Sequence, residues 1–560
     1  MRIYHSEKDI TIPQDLNLTQ LLNNSKYEPS TIIAQDDFNR TLTIQQLKST
    51  AGRLAAGLTD AFHPRDQSRW AVILPNSVAY LECCHAVLWL GGVFCPINHL
   101  LTPHELGNAL AICQPEYITV SSDTLPRLQE GITLALTQQS SYAAPQIIIG
   151  LGDSTTHPKI ESFLANDPLA VPVYPNTRQR LASIHLSSGT TGSSKGVALS
   201  HYNYVANVLQ MLAHDPARFS PSARSHAAQR ERVVSFTPYV HIANTTIPLF
   251  LGPLVGMCHF IMAKFELEAL CRIVEREKAT AMQCTPAIAV AIADTNLCER
   301  YDLSSVQRMV VGGLPLPKEI YDRFMSKGQW KTVQLYGMTE AAPYVTWQTV
   351  SETLPIRGQL GKILPGMSAR LVDADTGKDA AEGEAGELWI KGPNVVAGYV
   401  DNPTATAAAF REGGWYNTGD VCTFSPEGYL TVVGRTKELI KSSGFQVAPT
   451  ELEGYLNGHP LIADVAVGAS VDKQRMTEVP TAFVVLKASI TDKAAKVRAL
   501  KEIQRSLDGK VSGYKKLKGG VWEVKSLPRT STGKFTRKRL GEAKTGLSSF
   551  DAVDAEKAKL

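Results

Sequence analysis

The string Ser187-Ser188-Gly189-Thr190-Thr191-Gly192-Ser193-Ser194-Lys195-Gly196 follows the apolar run Leu181 to Leu186 and has the residue types that hold a phosphate. Glycines let the backbone curl until amide N–H groups converge, hydroxyls add donors, and lysine adds a mobile positive charge. Counted from Gly189, a Walker loop needs glycine at 194 and serine or threonine at 196; the chain has Ser194 and Gly196. The spacing therefore speaks against a P-loop kinase or GTPase. A second string, Gln334-Leu335-Tyr336-Gly337-Met338-Thr339-Glu340, joins an aromatic face that can stack on a flat ring to a hydroxyl and a hard carboxylate suited to magnesium. In Tyr416-Asn417-Thr418-Gly419-Asp420 the carboxylate can accept two hydrogen bonds at once. Late in the chain, Lys534 offers a point charge on a flexible stem able to bridge two anions. The run His104-Glu105-Leu106-Gly107-Asn108 lacks the second histidine of a zinc protease helix.

These groups need rigid elements to hold them. Arg69 to Pro75 reads as a short apolar strand stopped by proline, Tyr80 to Gly91 has helical length, and Gly92 to Ile97 returns to strand. Gln146 to Gly150 and Arg308 to Gly313 are further buried strands ending in glycine. The rhythm predicts α/β layers with largely parallel sheets. Ile247 to Ala263 is the most membrane-like stretch, but Pro248, Gly252, Pro253, Gly256 and His259 interrupt it and it falls short of about 20 apolar residues. It reads as a buried helix-turn-strand and no membrane span is expected. The run His214 to Arg232, rich in Pro, Ser, Ala and Arg, reads as an exposed loop.

A chain of 560 residues exceeds what one core organises, so at least two domains are expected. The pattern changes after Asp420, and the charged junction Gly434-Arg435-Thr436-Lys437-Glu438 marks the boundary: a large domain over 1–434, a small α+β domain over 435–543, and a mobile tail over 544–560. A net charge of +4 is small for this length and does not point to nucleic acid. Charged residues Arg2, Glu7, Lys8 and Asp9 precede any apolar run, so no secretory leader is expected. The nine cysteines form no CxxC pair and read as reduced thiols.

Together, and in this order, the motifs resemble those of the adenylate-forming superfamily, in particular its acyl-CoA synthetase and 4-coumarate–CoA ligase branch. The usual proline before the loop lysine is Ser194 here. The resemblance runs from about Thr41 to Leu540 and implies a large multi-layer α/β domain with a small mobile α+β domain. It implies ATP, CoA and Mg2+ as cofactors and a carboxylic acid as substrate, made first into an acyl-adenylate and then a thioester. Ser187, Ser188, Gly189, Thr190, Thr191 and Lys195 would hold the nucleotide's phosphates, with Thr191 also catalytic. Gly312, Gly313, Leu314 and Pro315, with Gln334 to Met338, would form the adenine and acyl surfaces, Tyr336 stacking on adenine. Thr339 would bond the α-phosphate, Glu340 hold Mg2+, and Asp420 and Arg435 the ribose. In Thr237-Pro238-Tyr239-Val240-His241-Ile242, His241 would border the acyl pocket with Ala243 and Leu335. The segment Gly383 to Leu388 reads as a structural turn without chemistry.

Two reactions in one cleft call for a swinging domain. By the resemblance Lys437 is its hinge, Lys441, Gln446 and Lys534 assist adenylation, and Lys264, Ser443 and Gly444 meet CoA. The last three residues, Ala558-Lys559-Leu560, are a variant of the Ser-Lys-Leu peroxisomal address and imply an import receptor as partner. Leu335 and Ala243 stand where aryl-acid and coumarate ligases carry a small residue and a tyrosine, which suggests a medium-length, branched or polyketide-like acid rather than a hydroxycinnamate. Alternatives are a luciferase-like oxygenase, a stand-alone adenylation enzyme serving a carrier protein, and a nucleotide-binding regulator without catalysis.

Overall fold

The structure is a computed structural model describing residues 2–187, 194–219, 230–284, 286–311, 318–349, 358–374, 376–436, 438–442, 445–472, 477–529, 535–543 and 547–551. At 284, 286–287, 318–320, 441, 445–446, 477 and 538 it describes the backbone alone. Arg69–Ile73, the helix Val78–Trp89 and Val93–Pro96 form the first strand-helix-strand unit, in parallel register with Trp70 opposite Phe94. Ser77 caps the helix by accepting from the Tyr80 N–H. Every residue of that helix is buried, as expected of one that is mostly apolar and packed on both sides, and its Glu82 is paired with Arg40 at 2.7 Å. Its sheet runs Gln146–Leu151, Tyr117–Ser121, Arg69–Ile73, Val93–Pro96, Leu181–Ser187, Lys195–Ser200, parallel except for the last pair.

A nine-stranded sheet is parallel through its centre, from Lys331–Gly337 through Arg308–Val311, Ala281–Cys284, Arg232–Ser235 and Cys258–Ile261 to Ile32–Asp36. Antiparallel strands cover its edges, Thr41–Thr43 at one and Tyr344–Trp347 with Lys362–Ile363 at the other. The early strand Ile32–Asp36 therefore pairs with one far along the chain, Ala34 opposite His259. A third sheet is antiparallel and contains Ser368–Val372, Gly386–Lys391, Trp415–Phe424 and Leu430–Arg435. Beyond it, Ile462–Asp472, Thr477–Leu486 and Val521–Glu523 carry the helices Pro449–Leu456 and Lys493–Asp508 over a core that includes Leu452, Val484, Leu500 and Ile503.

Ile247 to Ala263 is a buried helix-turn-strand as expected: helical turns over Thr246–Leu251 and Gly252–Val255, a left-handed Gly256, then the strand Cys258–Ile261. Among the described residues no helix is long and apolar enough to cross a membrane. Two expectations need correction. The ends of the 214–232 run are largely buried: Pro216–Phe219 is a helical turn with Arg218 and Phe219 buried, and Arg218 grips buried Glu231, Nε to Oε1 at 3.0 Å and Nη2 to Oε2 at 3.2 Å. Residues 220–229 lie outside the described residues. Within the tail, residues 547–551 are docked rather than free. The Glu523 N–H donates to the Leu547 carbonyl at 2.8 Å and the Ser549 N–H to the Val521 carbonyl at 2.8 Å, so the segment extends the sheet edge. Composition cannot register such backbone pairing.

Candidate active site

Ser187 and Lys195 face each other across the antiparallel pair Leu181–Ser187 and Lys195–Ser200, so these strands are the stems of the expected phosphate loop. Residues 188–193, including the expected donors Ser188, Gly189, Thr190 and Thr191, lie outside the described residues. Pairing with the outgoing strand continues on its other side. Val400 N–H donates to Gly196 O at 2.8 Å, Ala198 N–H to Gly398 O at 3.2 Å, and Val197 pairs with Tyr399. The same strap reaches the second motif, for Val396 N–H donates to Glu340 O at 3.0 Å and buried Asn394 donates to Ala341 O at 2.7 Å.

Glu340 sits in the turn Thr339–Ala341, which follows the strand Lys331–Gly337 that carries Gln334, Leu335, Tyr336 and Gly337; Met338 caps the turn. The carboxyl is buried and accepts from the Tyr399 hydroxyl at 3.0 Å. Burial pushes it above the usual carboxylate range, while the backbone, Tyr399, the Lys195 charge and Tyr416 pull it partly back. The Tyr416 hydroxyl lies 3.0 Å from that of Tyr399, and the Lys195 ammonium lies over the Tyr399 ring, 5.0 Å from its centroid. The structure thus brings Lys195 and Glu340 together on Tyr399, with Tyr416 beside it, two tyrosines to which the sequence assigned no role.

Asp420 and Arg435 are opposite one another in the hairpin Trp415–Phe424 and Leu430–Arg435, and Arg435 Nε lies 2.8 Å from Asp420 Oδ1. The other carboxylate oxygen accepts from the Tyr336 hydroxyl at 2.5 Å. Burial and the Asp420 charge hold that phenol well above its ordinary range, so it remains a donor. Gly419, at φ +71, is the turn that presents Asp420, a conformation costly for other residues. Glu387, read from sequence as part of a turn without chemistry, accepts from Asn417 at 3.0 Å and from Thr436 at 2.9 Å and so ties both strands beside the clamp.

His241 is exposed at the N-terminus of the short helix Ile242–Thr245. Its approach is clamped by buried Asn76, which accepts from Tyr239 N–H at 2.8 Å and donates to Thr237 O at 2.9 Å. Beneath it lies buried His185, whose Nε2 is 2.9 Å from the Tyr204 hydroxyl, itself 2.7 Å from Ser183 Oγ. Ala243, Leu335 and Met338 pack against one apolar cluster, and Tyr344 donates to the Ala243 carbonyl at 3.3 Å. Gly312, with Gly313, Leu314 and Pro315, lies outside the described residues. Lys264 is exposed just after the strand Cys258–Ile261.

Of the C-terminal candidates, Lys441 and Gln446 are opposite each other in the hairpin Ile440–Ser442 and Phe445–Val447. Lys437, Ser443, Gly444, Lys534, Ala558, Lys559 and Leu560 lie outside the described residues. The stems flanking 530–534 are described. Arg529 pairs with Phe535, and Arg537 is mostly buried against Glu438 at 2.9 Å and Glu453 at 3.0 Å.

One layered α/β body holds the hairpin of Ser187 and Lys195, the buried Glu340 carboxyl and the carboxylate–guanidinium pair of Asp420 and Arg435. The model of the AMP-binding enzymes matches residues 23–400 and that of the AMP-binding enzyme C-terminal domain matches 451–534. The chain belongs to this family. It is 30% identical to a probable 4-coumarate–CoA ligase 2 of Dictyostelium discoideum over 96% of this chain and 97% of that one. Among solved structures it resembles ATP-bound MatB from Rhodopseudomonas palustris (TM-score 0.81, 25% identity, 94% of this chain and 98% of that one). It also shares its fold with the o-succinylbenzoate–CoA synthetase of Bacillus subtilis in complex with ATP and magnesium (TM-score 0.76, 22% identity, 94% and 100% covered).

Proposed function

We propose that this chain is an AMP-forming acid–CoA ligase acting on a medium-length, branched or polyketide-like acid. The carboxylate attacks the α-phosphorus of ATP and pyrophosphate leaves; the CoA thiol then attacks the acyl carbon and AMP leaves. The observation that carries the reading is the meeting of Lys195 and Glu340 on Tyr399. It sits in one chain with the clamp of Asp420, Arg435 and Tyr336. Lys195 neutralises the polyphosphate, Thr339 donates to the α-phosphate, and the Asp420 carboxylate accepts from the ribose hydroxyls. The donor set at Glu340 fits magnesium, a hard cation commonly held by one or two carboxylates together with substrate phosphates. When bound, that ion would neutralise charge on the phosphates. Lys534 would steady the two approaching anions, Lys441 and Gln446 would assist, and Lys437 would be the hinge. Lys264, Ser443 and Gly444 would guide CoA.

The test is a panel of acids with ATP, CoA and Mg2+, read by pyrophosphate release and by mass spectrometry of the thioester. Thioester from a branched or medium-chain acid is expected, and Lys534→Ala should lower pyrophosphate release about a hundredfold or more. A preference for coumarate would overturn the substrate class. Adenylate without thioester would favour a carrier-loading enzyme, light with luciferin an oxygenase, and ATP binding without pyrophosphate a regulator. We further propose that Ala558-Lys559-Leu560 sends the chain to peroxisomes. The full chain with an N-terminal fluorescent tag should enter them and, without those three residues, should not; a diffuse signal from the intact chain would refute this.

A further inference from the structure

The strap from Pro393 to Val400 touches both halves of the phosphate-binding apparatus without belonging to either. Its far end pairs with the strand that leaves the phosphate loop, through Val400 N–H to Gly196 O and the Val197–Tyr399 bridge. Its near end holds the turn of Glu340, through Val396 N–H to Glu340 O and Asn394 to Ala341 O. Asn394, wholly buried, also donates to Tyr344 O at 3.0 Å, and Asn203 donates to the carbonyls of Pro393 at 3.0 Å and Val395 at 3.1 Å. These bonds tie the strap to both neighbours, and it places one aromatic ring between two functional groups.

That ring is Tyr399. Its face lies under the Lys195 ammonium and its hydroxyl donates to Glu340 Oε1. Because the single phenolic proton is committed to Glu340, the 3.0 Å contact with Tyr416 must run the other way, with the Tyr416 hydroxyl donating to the Tyr399 oxygen. The lysine is thus held by a ring face and the carboxylate by a hydroxyl of the same side chain. We infer that Tyr399 is a positioning residue that sets Lys195 and Glu340 relative to each other, delivering the polyphosphate lysine and the magnesium carboxylate as one unit. This rests on the ligase reading for the roles of those two groups, yet it concerns binding and can be judged without turnover.

The experiment is calorimetric titration of the full chain with ATP, once with Mg2+ and once with a chelator, without acid or CoA. Tyr399→Phe keeps the ring face and removes the hydroxyl; Tyr399→Leu removes both. Tyr399→Phe should cut the Mg2+-dependent gain in ATP affinity about tenfold, the loss typical of a hydrogen bond to a charged group, and leave the Mg2+-free affinity within about twofold. Tyr399→Leu should in addition weaken Mg2+-free binding about threefold or more, as the cation–π contact disappears. Should either variant fail to fold by circular dichroism, Tyr416→Phe, which removes a donor to both Tyr399 and Glu340, should also lose part of the same Mg2+-dependent gain. Wild-type-like titrations of Tyr399→Phe in both buffers would overturn the inference. So would an unchanged Tyr416→Phe gain, equal Mg2+-free losses in the two Tyr399 variants, or a wild type that gains nothing from Mg2+. If wild type shows the gain and the variants lose it but no acid ever yields pyrophosphate, the ligase reading fails and the positioning role stands.

Discussion

Glu231→Ala is expected to lower the stability of the chain by about 3–5 kcal/mol, because it strands a buried arginine. Glu231 is fully buried and serves two guanidinium groups. Arg218 meets both carboxylate oxygens, and Arg308 Nε meets Oε1 at 2.8 Å. Arg308 is partly exposed and can turn to water, but Arg218 is packed over the Trp347 ring, 5.2 Å from its centroid. Without its carboxylate Arg218 would be a desolvated, uncompensated charge, whereas Arg218→Met with Glu231→Leu should recover most of the loss. Urea unfolding compares the three proteins. A single-variant loss below about 1 kcal/mol would mean that Arg218 finds water or another acceptor.

The second large effect is a loss of stability on mild acidification. Burial pushes the imidazoles of His85 and His259 down to about 4 and those of His185 and His201 down to about 3. Their bonding agrees with neutral rings: His85 Nε2 donates to the Leu249 carbonyl at 2.8 Å, and His201 Nδ1 accepts from Leu18 N–H at 3.3 Å. The folded-state values lie below the unfolded one. The stabilisation is therefore complete above about pH 6.5, falls as the unfolded chain alone takes up protons, and is fully lost below about 4 or 3. Each ring contributes about 1.4 kcal/mol per pH unit inside its window. Glu82, Glu340 and Glu453, raised by burial, act in the opposite sense as the pH falls through their folded values towards the unfolded one, so they flatten the slope at the acid end. Calorimetry between pH 7.5 and 5 should show a falling melting temperature and net proton uptake on unfolding. A flat profile would mean that these rings are charged in the fold.

Groups that act from one turn were legible in sequence, because the chemistry and the geometry lie in the same few residues. Ser187 and Lys195 stand across a single hairpin, and Thr339 and Glu340 share one helical turn. Groups that act across the fold were not. Tyr399 meets Glu340 from 59 residues away and Tyr416 from 17. Asn76 reaches its clamp partners from more than 160. A tyrosine after Ala397-Gly398 or an asparagine after proline has no local pattern that singles it out. The same limit explains the run His214 to Arg232. Its composition is that of a solvated loop, and only the tertiary pairing of Arg218 with Glu231 shows that its ends are core. The strand-helix rhythm, by contrast, carried the sheet content directly, since strands covered on both faces must be apolar throughout.

The place of Ile32–Asp36 in the nine-stranded sheet has a consequence for biosynthesis. Its parallel neighbour is Cys258–Ile261. At the usual 5–20 residues per second, the nascent chain carries that early strand, with one side unpaired, for about 10–45 s before its partner leaves the ribosome. During this interval its backbone donors and acceptors are open to other chains. A ribosome-bound fragment ending before Cys258 should therefore hold the first six-stranded sheet, whose strands end at Ser200, while its N-terminal hairpin depends on chaperones.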